Sequence, residues 1–378
     1  MTGRIYLDHN ATAPPAPGIA ELLGRLWGSG WGNPSSAHAE GRRARALLET
    51  ARGQVAAAAG AARGDVVFCS GGSEADALAL RGLVDFGGVD ALVIGALEHP
   101  AVGETSHRLA AARGLPLVTV PATREGVIEP DAVVEALSRT RRALVSVMLA
   151  QNEIGTLNDV AAIAARAHAQ GAIVHVDAVQ AFGKVPLDFG ALGADLVSLS
   201  SHKIGGPPGV GALLVREGLA PVPFCAGGGQ EGDRRPGTEA LPLAVAFGAA
   251  AERVRERVAS APAVAARRDR FEAEILRRVP GARVAGAGAP RLPNTTALVF
   301  EGRDGRAVAA RCDARGLAVS AGSACHSGRG GPSAVMLALG YDAPWQRGLV
   351  RVSLGPETAD EELAEAAEIL AGAAREAA

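Results

Sequence analysis

The stretch Ser200-Ser-His202-Lys203-Ile-Gly-Gly-Pro-Pro-Gly209 decides how this chain folds. It follows an apolar run, Asp195-Leu-Val-Ser-Leu199, which has the length and composition of a buried strand. The glycines and prolines after Lys203 cannot continue a helix, so the lysine leaves a strand end and enters a loop. A second run upstream, Ala172-Ile-Val-His-Val176, delivers Asp177 in the same way, within His175-Val-Asp177-Ala-Val-Gln180.

Outward from this pair the pattern repeats. Val66-Val-Phe-Cys69, Ala91-Leu-Val-Ile94, Leu117-Val-Thr-Val120, Ala143-Leu-Val-Ser-Val147 and Gly211-Ala-Leu-Leu-Val215 are short apolar strand candidates, most of them separated by helical patterns rich in Ala, Leu, Arg and Glu. Such alternation predicts an α/β fold with a mainly parallel sheet covered by helices on both faces. A Gly-rich loop, Gly227 to Thr238, leads into one long helix over about 240–278, a bridge to a smaller unit with strand-like Thr296-Ala-Leu-Val-Phe300 and Leu349-Val-Arg-Val-Ser353.

Ligands of open parallel sheets sit beyond the carboxyl ends of the strands, so the loops after each strand line one cleft. Lys203 and Asp177 on two of those loops are the pair that pyridoxal 5′-phosphate requires: a lysine for an imine, and an acid facing the pyridinium nitrogen. Either residue alone is common in surface turns; the conjunction is not. Ser70-Gly71-Gly72-Ser73-Glu74 opens a helix, where free N–H groups and the Ser73 hydroxyl suit a phosphate. His99, in Glu98-His99-Pro100, is placed to stack on a planar ring. Asn152, in Gln151-Asn152-Glu153-Ile-Gly155, is placed to hydrogen-bond a ring hydroxyl or a carboxylate. No G-x-x-x-x-G-K-[ST] motif occurs, and Ser70-Gly-Gly-Ser lacks the G-x-G-x-x-G spacing, so nucleotide binding is disfavoured.

The 378 residues, 48% hydrophobic, can bury a large core, and the net charge of −2 shows neither a nucleic-acid footprint nor a polybasic membrane patch. With no apolar run of signal-peptide or membrane-spanning length, the expected location is cytoplasmic. Cys69, Cys225, Cys312 and Cys325 are too few and too dispersed for a disulfide framework or a C-x-x-C zinc site, so no metal is expected.

These segments, together with Tyr6-Leu-Asp8-His-Asn-Ala-Thr12, Gly32-Asn-Pro-Ser-Ser36, Ser320-Ala-Gly-Ser-Ala-Cys325 and Arg351-Val-Ser-Leu-Gly355, strongly resemble the cysteine desulfurases over nearly the whole chain. The resemblance implies an aminotransferase-like fold of type I. Residues 13–253 would form the large cofactor-binding domain, and residues 1–12 and 254–378 a smaller α+β domain carrying the catalytic cysteine. It also implies a homodimer that converts L-cysteine to L-alanine. Lys203 would hold the cofactor and carry protons, Asp177 would face the ring nitrogen, His99 would stack on the ring, and Gln180 would contact the phenolic oxygen. Gly72, Ser73, Ser200, His202 and Thr238, the last from the other subunit, would hold the phosphate. Asn33, Asn152 and Arg351 would bind the substrate, Arg351 through the bidentate fork of its guanidinium.

Cys325 would take the substrate sulfur as a persulfide. Its flanking glycines and serines suit an exposed loop, and His326 and Arg329 favour the thiolate. Cys69, Cys225 and Cys312 are expected to be structural. The spacing from Cys325 to Ala338-Leu-Gly340 resembles the long-loop branch that passes sulfur to an iron–sulfur scaffold or another acceptor, with Cys325 able to ligate a cluster iron transiently. The competing readings are a related lyase or aminotransferase, selenocysteine lyase included, and a non-catalytic scaffold protein.

Overall fold

The computed structural model describes residues 3–29, 31–85, 88–223, 225–322 and 331–377. Its strands are β1 (Ile5–Tyr6), β2 (Val66–Cys69), β3 (Ala91–Gly95), β4 (Leu117–Val120), β5 (Ala143–Ser146), β6 (Ile173–Asp177), β7 (Leu196–Ser200), β8 (Gly211–Val215), β9 (Arg283–Val284), β10 (Thr295–Val299), β11 (Leu317–Ala318) and β12 (Leu349–Ser353). The sheet that carries the site has seven strands in the order β2-β8-β7-β6-β5-β3-β4. All its pairings are parallel except those of β8, which runs antiparallel to both β2 and β7. Every residue of β2, β3, β5, β7 and β8 is buried. That accounts for their unbroken Val, Leu and Ile runs, since helices cover both faces.

One face packs under helices Ala39–Ala59, Val160–Ala169 and Leu241–Glu252 through Leu48, Val55, Ile163 and Phe247. The other packs under helices Gly72–Val84 and Pro100–Arg113 through Leu78, Leu80 and Val102. A separate core gathers Leu7, Phe271, Leu298, Phe300, Val350 and Leu370 around the antiparallel sheet β12-β10-β9. The N-terminal segment belongs to this second core because β1 pairs in parallel with β11, far away in sequence.

The long helix expected over 240–278 is divided into Leu241–Glu252, Val254–Ala259 and Ala261–Arg278. Pro262 lies in the first turn of the third piece. It supplies no N–H to the preceding turn and crowds the residue before it, so the chain restarts there. Strands β9 and β11, two residues each, lie outside the sequence expectation because so short a run leaves no periodic signature.

Candidate active site

The carboxyl ends of β2, β3, β5, β6 and β7 surround a cavity of about 230 Å3 whose walls include Gly72, Ser73, His99, Asn152, Asp177 and Gln180, with Ser200, His202, Lys203 and Arg351. Ten of the residues singled out in the sequence therefore meet in one place.

β6 ends on Asp177, and its Oδ1 accepts from the Val179 N–H at 2.9 Å. Burial raises the Asp177 pKa, while His99 and Lys203 pull it back down. Beneath it, His175 is fully buried between two serine hydroxyls, with Nδ1 2.8 Å from Ser146 Oγ and Nε2 2.9 Å from Ser198 Oγ. Burial pulls His175 down to about 3, so the ring is neutral and fixes the strand ends without adding charge.

β7 runs into the short 3-10 turn Ser201–Ile204, which Gly205 closes in a left-handed conformation at φ 81°. A Cβ at Gly205 would meet the backbone of Ala16 and Pro14 at about 3 Å, so glycine is required here. On this turn the Lys203 ammonium donates to the carbonyls of Asn10 and Ala11 at 2.6 and 2.8 Å. His202 Nδ1 lies 3.1 Å from Thr12 Oγ1. Burial and the neighbouring Lys203 and Lys184 lower the His202 pKa to about 4.

At the opposite wall, helix Gly72–Val84 presents its N-terminus to the cavity. A Cβ on Gly72 would stand 2.7 Å from Val179 Cγ2, so the backbone N–H groups approach the cavity because no side chain intervenes. His99 caps helix Pro100–Arg113, its Nδ1 accepting from the Ala101 N–H at 3.1 Å. In the neutral ring the proton is therefore on Nε2. A lysine, a buried acid and an anion-binding helix end, spaced around one cavity, are the donor set that fits pyridoxal phosphate.

Arg351, only 2% exposed, comes from β12 across the cleft. Its Nη1 donates to the Asn152 carbonyl at 2.9 Å and its Nη2 to Asp8 Oδ1 at 2.6 Å, while its buried Nε has no partner. Both ends of the fork expected to bind the substrate are thus engaged within the protein, and Nε is the donor left over. Thr238 and Asn33 are exposed and do not line the cavity; Asn33 Oδ1 instead accepts from the Ser35 N–H at 2.9 Å. Cys325, His326 and Arg329 lie outside the described residues. Cys69 and Cys312 are buried, and burial pushes the Cys312 thiol up to about 12. Cys225 is exposed.

Three site residues carry no role in the sequence reading. Asn10 offers its carbonyl to Lys203 and Gln180. Asp76 lines the cavity fully buried, its pKa raised by burial and by Asp177. Lys184 donates to Gln180 Oε1 at 2.6 Å and Asn10 Oδ1 at 2.8 Å. The signal for Lys184 was its place four residues after Gln180 in a segment otherwise apolar and glycine-bearing.

The Aminotransferase class-V family matches residues 5–365. The chain is 39% identical over 377 residues to the IscS-like cysteine desulfurase of Mycobacterium tuberculosis, across 97% of this chain and 95% of that protein. It is 40% identical over 369 residues to the cysteine desulfurase of Cereibacter sphaeroides, with 97% and 95% covered. Among solved structures, a NifS-like protein from Rickettsia africae aligns with a TM-score of 0.87 and 30% identity over 98% of both chains. SspA in complex with cysteine aligns with a TM-score of 0.81 and 30% identity, over 94% of this chain and 100% of that one. No helix among the described residues is long and apolar enough to cross a membrane. The chain belongs to the class-V aminotransferases, which depend on pyridoxal phosphate, and among them to the cysteine desulfurases.

Proposed function

We propose that the protein converts L-cysteine to L-alanine and keeps the sulfur as a persulfide on Cys325. The observation that carries this reading is the convergence of Lys203, Asp177 and the Gly72–Ser73 helix end on one cavity, in a chain 39% identical to a cysteine desulfurase over nearly its full length. Pyridoxal phosphate, when bound, supplies an electron sink for the substrate's Cα–H bond. Lys203 Nζ would hold it and would serve as the base that takes and returns the substrate's Cα proton. Asp177 provides the carboxylate at the ring nitrogen, and His99 offers its ring face and an Nε2 proton. The Gly72 and Ser73 N–H groups, Ser200 and His202 hold the phosphate, and Gln180 contacts the phenolic oxygen.

Arg351 Nε and Asn152 orient the substrate carboxylate, and Asn33, outside the cavity wall in this structure, would join them only on substrate binding. The Cys325 thiolate attacks the substrate sulfur. The new S–S bond forms as the C–S bond breaks, and the three-carbon fragment takes a proton and leaves as alanine. One cysteine and one enzyme thiol thus become one alanine and one persulfide.

We further read the active form as a cytoplasmic homodimer, with large domain 13–253 and a small domain of 1–12 and 254–378. Thr238, exposed in its Gly-rich loop, would hold the partner's phosphate in that dimer. The persulfide passes to an iron–sulfur scaffold or another sulfur acceptor. The test is release of alanine and sulfide from L-cysteine with a thiol reductant, on holoenzyme with its visible cofactor band, for wild type and Cys325→Ala. Equimolar products lost in the variant are expected. Turnover indifferent to Cys325→Ala, or turnover confined to another amino acid, overturns the proposal and favours a related lyase or aminotransferase.

A further inference from the structure

Lys184 does not line the active-site cavity, yet it holds two residues that do, Gln180 and Asn10. Beyond Asp177 the chain folds back on itself, with the Phe182 N–H on the Ala178 carbonyl and the Lys184 N–H on the Ala181 carbonyl, both at 2.9 Å. The turn brings Lys184 Nζ against the buried Gln180 amide, 2.6 Å from Oε1, and 2.8 Å from Asn10 Oδ1.

An amide can face its surroundings in two ways, and here the neighbours choose. Gln180 Nε2 lies 2.9 Å from the Asn10 carbonyl, which can only accept, so Oε1 is the atom that meets Lys184. Asn10 is oriented by the same logic: its Nδ2 donates to Thr295 Oγ1 at 2.9 Å and to the Asn152 carbonyl at 3.4 Å, leaving Oδ1 for Lys184 and the Asn294 amide. Burial first, then Lys203, Arg257 and Arg351, push Lys184 toward its neutral amine. A neutral amine keeps two N–H groups, the number these two bonds use. His9 adds no charge beside them, since burial, Lys184 and Arg257 lower its pKa to about 4.

Gln180 Nε2 carries a second N–H beyond the one given to Asn10. We propose that Lys184 is a positioning residue: by holding Oε1 it keeps the Gln180 NH2 group turned toward the cavity, where it donates to the phenolic oxygen of the cofactor. The proposal rests on the reading of Gln180 given above. Asn10 shares the task, because its carbonyl takes both Gln180 Nε2 and Lys203 Nζ. Without Lys184, Oε1 would be buried with no donor, a state that the amide escapes by turning.

The readout is the pH titration of the visible cofactor band on fully loaded holoenzyme. A donor to the phenolic oxygen stabilises its charge and weakens its share in the imine proton, so losing the donor raises the midpoint of the titration. Gln180→Ala should raise it by about 1–2 pH units, the size of one hydrogen bond to a charged group, and Lys184→Met, close in volume, by a similar amount. In the double variant the two shifts should not add, because Lys184 acts through Gln180. Additive shifts would mean that Lys184 acts by its own charge, and they overturn the proposal. So does a Lys184→Met midpoint equal to wild type when Gln180→Ala is shifted. An unshifted Gln180→Ala overturns the phenolic contact itself, and the proposal with it. Whether or not Lys184→Met folds, wild-type holoenzyme crystals should keep Lys184 Nζ hydrogen-bonded to Gln180 Oε1 with Nε2 on the phenolic oxygen; Lys184 turned away from Gln180 overturns the proposal.

Discussion

Glu231 ties the Gly-rich loop to β2, the strand that leads into the turn before Gly72, and the cost of its removal follows from its contacts. Its side chain is 1% exposed and faces Arg52, itself 9% exposed, with Nη1–Oε2 at 2.5 Å and Nη2–Oε1 at 2.8 Å. Glu231 Oε2 also accepts from the Phe68 N–H at 2.8 Å, inside β2. The same loop sends Arg235 to Glu74 at 2.8 Å, and Glu74 holds the Ser70 N–H at 2.6 Å, so both ends of the turn that leads to Gly72 depend on it. Glu231→Met leaves the buried Arg52 guanidinium with only the part-exposed Glu49, 3.1 Å from its Nε, as counter-charge, a loss of at most about 3–5 kcal/mol. Arg52→Met leaves the carboxylate in the same position and should cost a similar amount. The double variant removes both charges in favour of apolar groups and should cost far less than the sum, because the uncompensated charge is gone. Urea unfolding of the apoprotein reads this as a drop in midpoint at constant slope. Costs that simply add, or a single-variant loss below about 1 kcal/mol, would refute the reasoning, since surface pairs are worth no more than that.

Gly72→Ala should fold, because the gain in helix propensity of about 1 kcal/mol offsets much of the about 1–3 kcal/mol of overpacking against Val179. Its cofactor should nonetheless be lost faster on dialysis, read from the visible band; retention equal to wild type counts against the cradle. Arg351→Lys keeps the charge but loses the planar fork, so KM for L-cysteine should rise about 10- to 100-fold, one charge-assisted hydrogen bond of about 1.5–3 kcal/mol. An unchanged KM would remove Arg351 from the substrate site. The neutral His175 sets an acid limit on stability. Its folded pKa of about 3 lies below the ordinary 6.5, so between those values the unfolded chain binds a proton that the native one refuses. Stability is therefore lost as pH falls from 6.5, by about 1.4 kcal/mol per pH unit and at most about 5 kcal/mol. His175→Met should flatten the pH dependence of the urea midpoint; a slope equal to wild type contradicts the assignment.

The strand ends were legible because each apolar run stops on a polar residue that a parallel sheet must project into its cleft: Asp177 after Val176, Ser200 and Lys203 after Leu199, His99 beyond Gly95. What escaped was non-local. Asn10 reaches Lys203 only because β1 joins β11, a pairing of residues Ile5 and Leu317 that no local pattern signals. β8 reads as one more buried strand, and its reversed direction is set by the short connection from Ser200 to Gly211, which holds one 3-10 turn and no α-helix. Asp76 and Lys184 have no local pattern that sets them apart from ordinary helix and turn charges, and only tertiary packing buries them. The fork of Arg351 points the same way: the residue was identifiable, but its engagement by Asp8 was not.

The central claim is that sulfur moves from cysteine to one thiol of this chain. Holoenzyme incubated briefly with L-cysteine, without reductant, and digested under non-reducing conditions should yield the peptide containing Cys325 heavier by one sulfur atom, with alanine formed in equal amount and the mass change erased by reductant. Alanine formed while the Cys325 peptide keeps its original mass, or the extra sulfur found on Cys225 instead, would contradict the account.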